Sequence, residues 1–175
     1  MRGPLDIHQY LLAHDVHHEI VRLPRNSPGN TSLAQALGLP ERRCVAVHPF
    51  EALTTSTDTL VLLLAPSDTE IDDALVGQRL ARAIPHGDSR DAVTVRRAGA
   101  DVVSSRTDYL AGHVAPLLLP PDVAVVAVQP LADLAATVVY TPTGDVGTAL
   151  GLRALDLLVL SHATVLPIGD RATRR

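Results

Sequence analysis

The sequence predicts a mixed α/β fold, and three observations predict it. Apolar runs of strand length recur, at 60–64 and 123–128 for example, and none is long enough to cross a bilayer. Between them lie segments whose apolar residues repeat at helical spacing, such as 5–13 and 71–84. At 175 residues the chain is long enough for one domain with a substantial core and short for two. Hydrophobic residues make up 46% of it and aromatics only 2%, so that core has to be built from Val, Leu, Ile and Ala. The expectation is a single domain over 1–175, with 170–175 a polar, frayed tail.

Taken in order, Pro4 precedes a short amphipathic helix over 5–13, with Leu5, Ile7, Leu11 and Leu12 available for burial. Residues 16–23 alternate, placing Val16, His18, Ile20 and Arg22 on one face of a strand that stops at Pro24. Pro28 and Gly29 make 26–30 a loop. Thr31 or Ser32 then caps a helix over 33–37, and Gly38 closes it. Strands over 43–50 and 59–65 flank a polar hairpin region, and the second is apolar throughout, as expected where both faces are covered. Ser67 or Asp68 is expected to cap the next helix, with Glu70 near its start. Ile71, Leu75, Leu80 and Ile84 form its apolar face, and Pro85 ends it. A short strand over 92–96 and a weak helix over 101–109 follow. Strands over 123–128, 138–141 and 148–152, a helix over 152–160 and a strand over 164–168 complete the chain.

The formal charge is −4, and all 15 cations are Arg. Without lysine, no ε-amino group serves for catalysis, Schiff-base formation or phosphate binding. The acidic balance argues against extensive contact with a nucleic-acid backbone, DNA included, but leaves contact with the end of an RNA open. A single cysteine, Cys44, forms no internal disulfide, which fits a reducing cytoplasm and removes thiolate-rich zinc patterns. It reads as a buried structural residue. No basic start leads into an apolar segment, so no signal peptide is expected, and no membrane association.

Candidate chemistry is sparse. His14, His17 and His18 lie close in sequence, but strand geometry sets His17 and His18 on opposite faces, and no acidic or cysteine partner completes a shell. Neither a metal nor a cofactor is expected. His86-Gly87-Asp88 reads as a solvent-facing loop. Ser161-His162 lacks the G-x-S-x-G elbow of a serine hydrolase. Gly144-Asp145-Val146-Gly147 follows a strand and precedes another, so it is no phosphate loop. What remains is Gly112-His113-Val114-Ala115-Pro116, of form G-x-x-x-P, where glycine frees the backbone and proline restricts it. Such a loop can present main-chain N–H groups to a carbonyl or oxyanion, or simply connect two elements.

The order of elements resembles the YbaK-like aminoacyl-tRNA deacylases, the superfamily that includes the editing domain of bacterial prolyl-tRNA synthetases. Four runs carry the resemblance: HHEIVRLP, TSLAQALGLP, GHVAP and TGDVGTALGLRALDLLVLSHATVLPI. It implies a curved or barrel-like mixed sheet flanked by helices, with a pocket between the G-x-x-x-P loop and the glycine turn. It implies hydrolysis of the ester joining a wrong small amino acid to the tRNA 3′ end, with the ribose hydroxyl assisting and no protein nucleophile. On that reading the backbone of Gly112, His113, Val114, Ala115 and Pro116 positions the ester or a water. Thr141, Gly144, Asp145 and Gly147 shape the amino-acid pocket. His113 is either a rim residue or a solvated turn residue. Most members carry a lysine on the strand after L-G-x-P; Val45 stands there in this chain, with Arg43 the nearest substitute. A non-catalytic binding domain with the same pocket, and a hydrolase of another small ester, are the rival expectations.

Overall fold

The computed structural model describes residues 1–24, 32–83 and 92–167. The expected loop over 26–30, Thr31 as a cap, Ile84 and Pro85 at a helix end, His86-Gly87-Asp88, Ile168 and the tail over 170–175 lie outside the described residues.

Helix α1 (Pro4–Ala13) opens with proline at its first turn, where the missing N–H costs nothing, and buries Ile7 and Leu11 while Leu5 and Leu12 stay exposed. Strand β1 (His18–Arg22) follows. Helix α2 (Leu33–Leu37) is closed at both ends as its sequence dictates. Ser32 and Gln35 form a reciprocal capping box, and Gly38 takes the left-handed conformation at φ 65°. A 3₁₀ turn (Glu41–Arg43) then delivers the chain into β2 (Val45–Leu53), which pairs antiparallel with β3 (Asp58–Pro66).

Ser67 does not cap the next helix. Its N–H and Oγ both bond the carbonyl of Cys44, at 2.8 and 3.0 Å, because the chain must first turn away from the end of β3. Asp72 is the cap instead, its Oδ1 accepting from Ala74 and Leu75, so α3 (Asp73–Ala83) begins later than expected and buries Val76 and Leu80. Strand β4 (Thr94–Arg97), α4 (Ala100–Thr107) and β5 (Val123–Val128) come next. A one-turn helix, α5 (Gln129–Ala132), was not expected from periodicity, being too short to have any. Strands β6 (Val138–Pro142) and β7 (Thr148–Arg153) form a hairpin. Helix α6 (Ala154–Leu160) starts two residues later than the reading of 152–160, because Leu152 and Arg153 remain in β7; β8 (Thr164–Leu166) closes the described chain.

The strands form two sheets among the described residues: β4-β2-β3-β5-β8, mixed, and β1-β7-β6, antiparallel. A single parallel bridge between Cys44 and Tyr140 joins them, too little to close a barrel. One apolar cluster nevertheless runs through both, from Ile7 and Leu11 through Leu60–Leu64 to Val139, Leu150 and Leu157. Strand β3 carries its centre: residues 60–66 are all buried, the signature of a strand covered on both faces. The run 117–119 also belongs to this interior, with Leu117 buried and Leu118 and Leu119 packed against the cluster.

Candidate active site

The loop from Asp108 to Leu118 is shaped by Tyr109. Its ring is buried and its hydroxyl donates to the carbonyl of Leu117 at 2.8 Å, tying the two ends of the G-x-x-x-P segment together. Burial pushes the Tyr109 pKa up, so the hydroxyl stays protonated and remains a donor. Thr107 holds the approach, its Oγ1 donating to Val103 and accepting from the Tyr109 N–H. Gly112 sits at φ 83°, where an L side chain is strained, and the amide of His113 closes a turn onto Leu110.

The glycine turn meets this loop through one bond: the N–H of Gly144 donates to the carbonyl of His113 at 2.8 Å. Gly144 has φ 90°, and a Cβ there would lie 2.7 Å from both the Arg2 carbonyl oxygen and the Tyr109 ring. Glycine is thus required twice over at this position. Asp145 and Gly147 complete the hairpin tip, where Asp145 Oδ1 accepts from Gly147 and the Gly147 carbonyl accepts from Leu23.

Between the loop and β2 lies a cavity of about 260 Å³. Val45, Ala46, Val47 and Pro49 of β2 form one side of it. Gly112 and Val114 of the loop, Leu33 at the first turn of α2, and Pro142 at the end of β6 form the others, with Ser67 adding the one side-chain hydroxyl. No charged side chain is among these described residues. The N–H groups of Gly112, Val114 and Ala115 donate to no described residue. Hence the cavity has apolar walls and is bordered by a loop whose Gly112 and Val114 amides have no acceptor among the described residues, an arrangement suited to an uncharged group next to a carbonyl.

Of the residues singled out in the sequence, Gly112, Val114 and Val45 line this cavity together. Ala115 and Pro116 are buried behind them. His113 is half-buried and contributes its backbone through the bonds to Leu110 and Gly144. Thr141 is not in the lining: strand alternation turns it inward from Pro142, and its buried hydroxyl has no partner among the described residues. Gly144, Asp145 and Gly147 lie at the hairpin tip rather than in the wall. Arg43 does not reach toward the cavity as a lysine substitute. Its Nε donates to the carbonyl of Val138 at 3.1 Å and its guanidinium lies over the Tyr140 ring. Sequence reasoning missed Tyr109 and Pro142; the signal for the first was a rare aromatic directly before the loop.

A larger groove of about 420 Å³ lies behind the leucine–proline run, lined by Leu117, Val125, Ser161 and His162 among others. Ser161 donates its proton to Leu158 there, which agrees with a structural and not a nucleophilic serine. Among the described residues no group of three His, Cys, Asp or Glu side chains converges to hold a metal. No helix among them is long and apolar enough to cross a membrane.

No family model matches the chain, and no curated protein matches it. Solved structures do. A hypothetical protein aligns over 91% of this chain and 95% of its own, with 22% identity and a TM-score of 0.67. A protein described as a candidate trans-editing enzyme for prolyl tRNA synthetase aligns over 91% and 92%, with 19% identity and a TM-score of 0.67. A computationally designed scaffold for presenting linear epitopes aligns over 91% and 92%, with 17% identity and a TM-score of 0.68. At these identities the likeness is one of fold.

Proposed function

We propose that this chain, on its editing-domain-like fold, hydrolyses the ester of a small amino acid on the 3′ end of a tRNA, acting in trans. The observation that carries the reading is that Gly112 and Val114, whose amides donate to no described residue, both line the cavity. The acyl carbonyl oxygen accepts from the loop, so the negative charge that develops on attack meets donors already in place. Water attacks the carbonyl carbon with the neighbouring ribose hydroxyl assisting, and the ester C–O bond breaks to release the amino acid and the tRNA. The apolar walls favour small uncharged side chains, since a charge there would be desolvated without a partner. The fully buried Cys44 suits a reducing compartment, and we place the protein in the cytoplasm.

A second reading, a binding domain without hydrolysis, is favoured by one observation: the strand position where the resemblance expects a lysine is an apolar, buried Val45, and Arg43 is engaged elsewhere. Single-turnover deacylation of tRNAs charged with alanine, serine, cysteine and proline separates the two. Hydrolysis of one ester that disappears in Gly112→Ala supports the enzyme. A Cβ at Gly112 meets nothing within 4 Å, so the variant loses activity through the strain it puts on the loop's backbone at φ 83°. No hydrolysis of any ester by the folded protein would sink the enzymatic reading.

A further inference from the structure

His8 on α1 and His18 at the start of β1 meet across the element boundary, with Nδ1 of His8 2.8 Å from Nε2 of His18. On the other side of its ring, His18 Nδ1 lies 2.7 Å from the carbonyl oxygen of Val16. A carbonyl can only accept, so that nitrogen carries the proton and Nε2 presents a lone pair. Metal-ligating histidines are oriented in the same way, the second ring nitrogen held by a backbone carbonyl. Both rings border an open cavity of about 390 Å³ shared with Pro4, Leu5 and Ile20, and no Arg is among these described lining residues to repel a metal.

We propose that His8 and His18 together bind one divalent ion of the Zn²⁺, Ni²⁺ or Cu²⁺ class, with water in its remaining positions. Imidazole nitrogens bind such ions at about 2.0–2.1 Å, so two on one ion stand roughly 3.0–3.4 Å apart. The observed separation of 2.8 Å needs only a small opening and a ring rotation. His8 moves its proton from Nδ1 to Nε2, so the ring stays neutral and offers the lone pair that faces His18. With two protein ligands the site is open and exchangeable, unlike a four-ligand structural zinc site. The ion clips α1 to β1. The proposal stands apart from the ester chemistry, because neither histidine borders the cavity beside the G-x-x-x-P loop.

Titration calorimetry of the full chain with NiCl₂ and ZnCl₂ is the test. One site is expected, its affinity falling at least tenfold in His8→Gln and in His18→Gln and holding in His17→Gln. Paramagnetic Cu²⁺ added to the unsubstituted protein should broaden the ring-proton resonances of His8 and His18 before those of the other histidines, a readout that needs no variant to fold. Unchanged affinity in both pair variants, broadening centred on other histidines, or no binding at millimolar metal overturns the proposal.

Discussion

Tyr109 shows how one side chain sets the geometry of the loop. Removing its hydroxyl in Tyr109→Phe leaves the Leu117 carbonyl without its partner, in surroundings where that residue is buried. The expected cost is about 1–3 kcal/mol, read from urea unfolding, with a larger loss in deacylation rate than in the integrity of the sheets. The two loop glycines should separate in the same assay. Gly112→Ala carries backbone strain only, about 1–2 kcal/mol. Gly144→Ala adds a steric clash with the Arg2 backbone and the Tyr109 ring, for about 2–4 kcal/mol in all. His48 supplies a pH signature. Burial first, and the adjacent Arg97 guanidinium second, lower its pKa below the usual 6.5, against a smaller opposing effect of Asp73. The unfolded chain therefore binds the proton more readily, so stability falls as pH drops from 6.5 through the depressed value. His48→Gln should flatten the urea midpoint over that window, and an unchanged slope would falsify the assignment.

At the level of elements, α2 positions one wall of the cavity through Leu33, its first residue. Ser32→Ala removes the cap and should cost about 1 kcal/mol, raising hydrogen exchange over 33–37 before anywhere else. That cap was legible in the sequence, as were Gly38 and the doubly covered β3, because each follows from local chemistry or an unbroken apolar run. The G-x-x-x-P loop could be read as a segment with unusual backbone, and Gly112, Val114 and Val45 do come together at one cavity. What lay beyond reach is tertiary. Nothing local says that Ser67 will bond back to Cys44, so the start of α3 was misplaced. Nothing local says that Arg43 will turn to Val138, or that His18 will find His8 and not His17.

For the whole molecule, the two sheets are separate hydrogen-bonded units that share one core and touch at the Cys44–Tyr140 bridge. Cys44 is fully buried at that seam, and burial raises its pKa, so thiol reagents should modify it only when the chain opens. Its labelling rate at neutral pH should therefore track global unfolding, and fast labelling of the folded protein would show that the seam opens alone. The smaller sheet has a further consequence for biosynthesis. Strand β1 is made well before β7, the strand it pairs with, His18 lying opposite Leu152. Contacts of such separation form slowly and late. Until β7 emerges, β1 waits as an unpaired strand, and the wall that Pro142 adds to the cavity has no neighbouring strand to hold it. A nascent chain can pair β4, β2, β3 and β5 first, and it acquires a finished cavity only after β6 and β7 have emerged.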